Sequence, residues 1–172
     1  PPNELRDALD VVIVETVGVG QSETRVADMT DMFLLLLLPG AGDELQGIKR
    51  GIMEMADLIV INKADGDNLK RAELSKREYA NALHLFPLAD SGWSPKVVTA
   101  SALYAKGLEK IWETIGDFVS LTKENGFFDR HRQSQSLQIL HDSISHSLEA
   151  DFFANPSVKA SLTSLEARVL NK

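Results

Sequence analysis

Asn62-Lys63-Ala64-Asp65 follows directly on the apolar run Leu58-Ile59-Val60-Ile61, and side chains of these types in this order can read a purine base. A carboxylate carries two oxygens side by side. Asp65 can therefore accept from two adjacent donors, which guanine presents as its ring N–H and its exocyclic amine. Each such charge-assisted bond contributes about 1.5–3 kcal/mol when it forms out of water. Adenine has an acceptor and no amine at these positions and would leave the carboxylate unpaired, and that penalty creates selectivity. Asn62 can contribute an amide to the ring edge or tie neighbouring loops together. The aliphatic stem of Lys63 can cover a face of the base while its ammonium stays in water.

Thr99-Ala100-Ser101-Ala102-Leu103 closes another β-prone stretch. Backbone N–H groups of such a loop can donate to the guanine keto oxygen, and Ser101 can hydrogen-bond Asp65 and fix its carboxylate. Alone this is an ordinary strand end. Beside Asn62–Asp65, at the end of the next strand, it completes a base pocket.

Two further segments carry possible phosphate or partner chemistry. Glu15 ends the run Val11–Val14, and Gly18 follows three positions later. Such a carboxylate holds a magnesium water, and such a glycine lets its N–H approach a terminal phosphate without a Cβ in the way. Gln21 can position a water. A glycine-rich turn leading into a helix accounts for the same residues equally well. In the second segment, Gly40 and Gly42 permit movement, and Asp43 can cap a helix opening at Glu44, with Gln46 at its third position. The segment runs on to Lys49-Arg50, and a loop that responds to nucleotide or touches a partner explains it as a whole.

These groups need strands to position them. Val11–Val14, Met32–Leu38, Leu58–Ile61 and Lys96–Thr99 read as strands, and continuous apolar runs suit strands covered on both faces of a parallel sheet. Helical periodicity is expected over 44–56, 68–86 and 107–123, so strands and helices alternate as βαβ units. Beyond Gly126 the strand signal stops. Leu137, Leu140, Ile144 and Leu148 repeat at helical spacing, Asn155-Pro156 breaks the pattern, and Val158, Leu162, Leu165 and Val169 resume it. The expected organisation is an α/β domain over 1–125 and a helical extension over 126–172.

Bulk properties remove several classes. With no cysteine among 172 residues, disulfides, thiolate metal sites and a catalytic thiol are excluded. His84, His131, His141 and His146 lack ligand spacing, with His131 in a polar turn, and suit surface or packing roles. Trp93 and Trp112 are single aromatics suited to packing. The longest apolar run, Met32 to Leu38, is far short of the roughly 20 residues that span a bilayer. No signal segment opens the chain, so a soluble cytoplasmic protein is expected. Residues 1–66 carry 12 acidic and 5 basic side chains, while 67–172 carry 13 of each. An acidic surface disfavours a nucleic-acid backbone as partner. It also leaves a triphosphate without an obvious cradle.

Residues 15–23, 42–51, 55–66 and Ser101-Ala102, in this order, closely resemble the methylmalonyl-CoA mutase-associated GTPases, the MeaB/ArgK-like or MMAA-like members of the SIMIBI class of P-loop GTPases. The similarity runs from about Asp10 to Phe153. Some members carry names as lysine/arginine/ornithine transport ATPases or kinases, against which the guanine-reading motif speaks. The resemblance implies a partial P-loop NTPase-like three-layer α/β fold with a mostly parallel sheet, followed by a helical C-terminal extension. It implies GTP/GDP and Mg2+ as ligands, GTP hydrolysis, and service as chaperone to an adenosylcobalamin-dependent acyl-CoA mutase, gating cofactor loading and protecting or reactivating that enzyme.

Residue by residue, Glu15 to Gly18 resembles the Walker B and switch II region, with Glu15 holding magnesium through water. Gly40 to Lys49 is similar to a mobile switch that communicates with the mutase. Asn62, Lys63 and Asp65 would read guanine, with Ser101, Ala102 and Leu103 completing the pocket. The tail resembles the segment leading to a homodimerisation arm, and a eukaryotic member would belong in the mitochondrial matrix. Gly-x-x-x-x-Gly-Lys-Ser/Thr occurs nowhere in the chain. The phosphate-handling half is therefore expected to lie outside these residues, and the chain alone to bind GTP weakly and turn it over little. The alternatives are a GTPase for metal-centre or cofactor assembly and a non-hydrolysing regulatory module.

Overall fold

The structure is a computed structural model that describes residues 11–16, 22–40 and 50–170. In chain order the elements are α1 (Ser22–Met29), β1 (Leu34–Leu37), α2 (Arg50–Met55), β2 (Leu58–Ile61), a 3-10 turn (Gly66–Asn68), α3 (Leu69–Leu83), β3 (Lys96–Thr99), α4 (Leu108–Glu124), α5 (Phe127–Ala154) and α6 (Pro156–Leu170). The three strands form one parallel sheet in the order β1-β2-β3. The register pairs Leu34 with Leu58 and Leu37 with Ile61 on one side, and Leu58 with Lys96 and Ile61 with Thr99 on the other. Parallel neighbours need crossover connections, and α3 supplies the one between β2 and β3.

β2 is central and every one of its side chains is fully buried. Successive residues point to opposite faces. Ile59 and Ile61 join Met53, Ala72, Tyr79 and Leu83 in one core, against which Leu35, Leu37 and Val97 pack. Leu58 and Val60 join Val98 and Ala100 in the other, covered by Ile111 and Ile115 of α4. Helices thus cover the sheet on both faces in a three-layer α/β arrangement. Burying each β2 aliphatic contributes about 1.5–3 kcal/mol, which holds the strand end that carries Asn62.

Asp57 ties the three strands together at the opposite end. Its N–H donates to Phe33 O at 2.9 Å, and its Oδ2 accepts the Phe33 N–H at 2.8 Å. Its carbonyl accepts from the Lys96 N–H at 3.2 Å and from the Trp93 indole N–H at 2.9 Å. Burial pushes its carboxyl up to about 6, against the opposing pulls of the Phe33 N–H and of His131. Trp93 in turn meets Phe118 edge-on at 5.5 Å. His131 lies in α5 rather than in a turn, its ring stacked on Phe127 and its Nε2 3.2 Å from Thr30 O.

Three further sequence expectations change. Val11–Val14 forms no strand, and its side chains are exposed. A strand exists only through a ladder with a neighbour, and among the described residues none lies beside this run. Met32–Leu38 shortens to Leu34–Leu37 and is covered on one face, so Leu34 and Leu36 are exposed while Leu35 and Leu37 pack inward. Of the helix expected over 44–56, Arg50–Met55 is observed, and residues 41–49 lie outside the described residues.

The chain divides into two compact units, residues 1–131 and 132–172. Among its described residues the second is helical apart from the break at Asn155. Asn155 starts α6 by accepting the Ser157 N–H at its Oδ1, 2.9 Å away, and Pro156 occupies the first helical position, where no N–H is needed. No helix among the described residues is long and apolar enough to cross a membrane.

Candidate nucleotide-base site

The sheet ladder continues past β2 into the motif. The Asn62 N–H donates to Leu37 O at 2.8 Å, the Ala64 N–H to Ala100 O at 3.0 Å, and the Ala100 N–H to Ile61 O at 2.9 Å. Both flanks of Lys63 are therefore fixed. Lys63 itself adopts φ +58°, the left-handed region, which costs a side-chain-bearing residue about 1–2 kcal/mol. Asn62 offsets part of this cost, because its Oδ1 accepts the Lys63 N–H at 2.8 Å. The same oxygen accepts the Ala102 N–H at 3.1 Å. Of the two tasks open to Asn62, joining the loops after β2 and β3 is the one it performs here.

Asp65 precedes the 3-10 turn in extended backbone, and its side chain makes no capping hydrogen bond. An aspartate at such a position ordinarily caps the turn that follows. Here the carboxylate turns across the sheet, and the Ser101 hydroxyl donates to its Oδ2. Ser101 is fully buried, and its Oγ accepts the Tyr104 N–H at 3.3 Å. An ionised carboxylate can accept about four hydrogen bonds, so the Ser101 bond orients Asp65 while leaving room for two ligand donors.

The loop after β3 is closed by two reciprocal backbone bonds between Ser101 and Lys106, at 2.9 and 3.1 Å. Ala105 has φ +51° and Gly107 φ +78°. A Cβ at Gly107 would fall 2.5 Å from Thr99 O and 3.2 Å from Ala100 Cα, so glycine is required for α4 to start this close to β3. α3 braces the same region. Glu73 Oε1 accepts the Thr99 hydroxyl at 3.2 Å, and Ser75 Oγ accepts the Gly40 N–H at 3.1 Å. Gly107, Glu73 and Ser75 were not singled out from sequence. A lone glycine just before an amphipathic helix was the available signal for the first, while the others pair across 26 and 35 positions.

The structure thus brings together Asn62, Asp65, Ser101 and the Ala102 N–H. Lys63 is exposed beside them, and Leu103 is 78% exposed in the closing turn. Glu15 is exposed, and no hydrogen bond among the described residues joins it to this group. Gly40 is anchored on α3. Gly18, Gln21, Gly42, Asp43, Glu44, Gln46 and Lys49 lie outside the described residues. No group of three or more histidine or acidic residues among the described residues could hold a metal. The Ser101 and Ala102 N–H groups of the loop expected to serve a ligand are instead taken by Lys106 O and Asn62 Oδ1, so the assembled site is chemically an oriented carboxylate suited to a planar ligand that offers adjacent donors.

Comparison with known proteins points the same way. A "Putative GTPase" of Caulobacter vibrioides is 50% identical over 160 residues, covering 93% of this chain and 49% of that protein. "GTPase ArgK" of Escherichia coli is 48% identical over 146 residues, 85% of this chain and 44% of that one. The mouse "Methylmalonic aciduria type A homolog, mitochondrial" is 43% identical over 94% of this chain and 39% of its own length. A solved LAO/AO transport system kinase superposes with a TM-score of 0.72 at 42% identity, over 94% of this chain and 52% of that one. The chain spans about half, or less, of each. Residues 4–157 match the model of the family described as "Methylmalonyl Co-A mutase-associated GTPase MeaB", and the chain belongs to that family.

Proposed function

We propose that these residues form the base-recognition part of a GTP-hydrolysing chaperone for an adenosylcobalamin-dependent acyl-CoA mutase, one that gates cofactor loading and protects or reactivates that enzyme. The observation that carries the reading is the Ser101–Asp65 hydrogen bond. It links the ends of two parallel strands and orients a carboxylate that has no capping duty. Asp65 accepts from the guanine ring N–H and amine, the Leu103 N–H serves the keto oxygen, and the Lys63 stem covers the ring, while the Ala102 N–H stays with Asn62. Asn62 holds the two loops in register. The family's name supports the mutase as partner.

In the same reading Glu15, Gly18 and Gln21 serve the phosphate end, where magnesium, when bound, neutralises charge on the phosphates. Glu15 would hold it through water, and the remaining phosphate ligands would come from outside this chain. Gly40 to Lys49 responds to the nucleotide and meets the mutase. Residues 1–125 act as part of the GTPase domain, and 126–172 lead to a homodimer contact. The setting is the cytoplasm, or the mitochondrial matrix in a eukaryote. GTP hydrolysis by the full-length protein, measured with and without the mutase, tests the assignment. Stimulation by the mutase supports it, and turnover indifferent to the mutase sinks the chaperone role while leaving base recognition to be judged separately.

A further inference from the structure

The junction between α4 and α5 is fastened by a side chain that is itself chemically reactive. Asn125 ends α4, and Gly126, at φ +71°, turns the chain into α5. Asn125 Nδ2 donates to Ser91 O at 2.8 Å, and its Oδ1 accepts the Phe127 N–H at 2.9 Å. Arg130 Nη1 donates to its main-chain oxygen at 3.2 Å. Ser91 belongs to the turn that leads to β3, where the Gly92 N–H donates to Ala89 O at 2.8 Å and the Trp93 N–H to Ser91 Oγ at 3.3 Å. A Cβ at Gly92 would lie 3.5 Å from Asn125 Nδ2, so this turn sits directly against the amide. One carboxamide therefore holds the approach to β3 and the start of α5 together. Aspartate could not do the same, because Ser91 O is an acceptor and needs an N–H.

Asn-Gly is the pair in which that replacement occurs without an enzyme. Glycine has no Cβ to hinder its nitrogen, so the Gly126 nitrogen can attack Asn125 Cγ. The new N–Cγ bond closes a succinimide ring, the Cγ–Nδ2 bond breaks, and Nδ2 leaves as ammonia with the proton that Gly126 gives up. Water then opens the ring at one carbonyl or the other and leaves aspartate or isoaspartate. Asn125-Gly126 is the one Asn-Gly pair in the sequence, and Asn125 is exposed to water. The folded conformation restrains each participant. The attacking N–H donates to Lys123 O at 3.2 Å, the leaving nitrogen is bound to Ser91 O, and Oδ1 is bound to Phe127. Asn125 also has φ −87° and ψ 1°, a helix-end conformation that the main chain must leave before the Gly126 nitrogen can close on Cγ.

We propose that Asn125 is a site of spontaneous deamidation, which takes place in molecules whose α4–α5 junction has opened and then keeps that junction from closing. The aspartate carboxylate faces Ser91 O, acceptor against acceptor. Isoaspartate adds a main-chain atom just before the left-handed Gly126. Either product converts a transient opening into a lasting one and releases the turn before β3 from the start of α5.

The test ages the full-length protein in mildly alkaline buffer, native and in urea, and follows Asn125 by peptide mass spectrometry. Conversion in the native protein is expected, slower than in urea by about tenfold or more because reaction waits for local opening. Arg130→Ala removes one brace and leaves the reacting pair intact, so it should raise the native rate and leave the rate in urea unchanged. In Asn125→Asp, hydrogen exchange at the Gly92 and Trp93 amides should quicken by about tenfold or more, since the bond to Ser91 O is lost. An Asn125 that stays intact in the native protein while the chain in urea converts overturns the proposal. So does native conversion as fast as in urea, which would mean that the junction restrains nothing. Unchanged exchange in Asn125→Asp overturns the release of the turn. Parent protein aged to the aspartate form and separated by ion exchange carries the same measurement if that variant folds poorly.

Discussion

Ser101 and Asp65 meet across two adjacent parallel strands, the buried serine hydroxyl donating to a carboxylate oxygen that makes no local cap. Because Ser101 Oγ also accepts the Tyr104 N–H, one hydroxyl sets both the carboxylate and the turn that carries Ala102 and Leu103. Hydrogen bonds to charged groups contribute about 1.5–3 kcal/mol. Ser101→Ala in the full-length protein is expected to weaken GDP binding by about tenfold or more without changing which base is preferred. Calorimetric titration with GDP checks this, and unchanged affinity would show that Asp65 needs no orienting partner.

Asp65→Asn exchanges an acceptor for a donor at the position that faces the guanine amine. The amide can then donate to an oxygen there, which xanthine provides. Guanine affinity should fall by one to two orders of magnitude, about 1.5–3 kcal/mol, while xanthine affinity rises. Competition between GDP and XDP reads the switch. A base preference that stays with guanine removes Asp65 from the site.

Much of this was legible in the chain because it is local. Leu58–Ile61 and Lys96–Thr99 form the strands expected of them, since each is a short β-prone run bounded by polar or small residues. The motif follows β2 directly, so recognising the strand placed Asn62 and Asp65 at its end. What was illegible depends on neighbours. Val11–Val14 has the same apolar character as β2 but no adjacent strand among the described residues, and it stays exposed. Leu34 and Leu36 read as buried on composition, yet β1 is covered on one face alone. Glu73 with Thr99, and Ser75 with Gly40, are polar pairs between distant positions, and no spacing rule announces them.

Gly107 is expected to be intolerant of any side chain. Its φ of +78° strains an L-residue, and a Cβ would meet Thr99 O at 2.5 Å, a backbone atom within the structure that positions Ser101. Gly107→Ala should cost about 1–3 kcal/mol and lower Tm by about 2–4 °C per kcal/mol in a chain of this size. Thermal unfolding measures this, and a variant as stable as the parent would mean that α4 starts further from β3 than described.

The chain of 172 residues alone, lacking a phosphate-loop motif, is expected to bind GTP no more tightly than guanosine. Base contacts would supply nearly all of the affinity, and a phosphate cradle would supply little. Calorimetry with guanosine, GDP and GTP separates the two, and a strong gain from guanosine to GTP would locate phosphate ligands within these residues.

Asp57 gives the molecule a pH dependence of defined sign. Burial raises its carboxyl from 3.8 to about 6 in the folded state, so folding favours its protonated form. The unfolded chain releases that proton at lower pH. The contribution of Asp57 to stability is therefore fully present below about pH 4 and is lost as pH rises through about 6, amounting to about 3 kcal/mol at 1.36 kcal/mol per pH unit. Asp57→Asn keeps an oxygen to accept the Phe33 N–H and removes the buried charge. Its stability relative to the parent should increase steadily from pH 4 to 6.5 and then level off. Urea unfolding of both proteins across that range tests the difference directly, since every other titrating group is common to the pair. A constant difference would mean that the carboxyl titrates alike in the folded and unfolded states, and that the Phe33 N–H and His131 together cancel the cost of its burial.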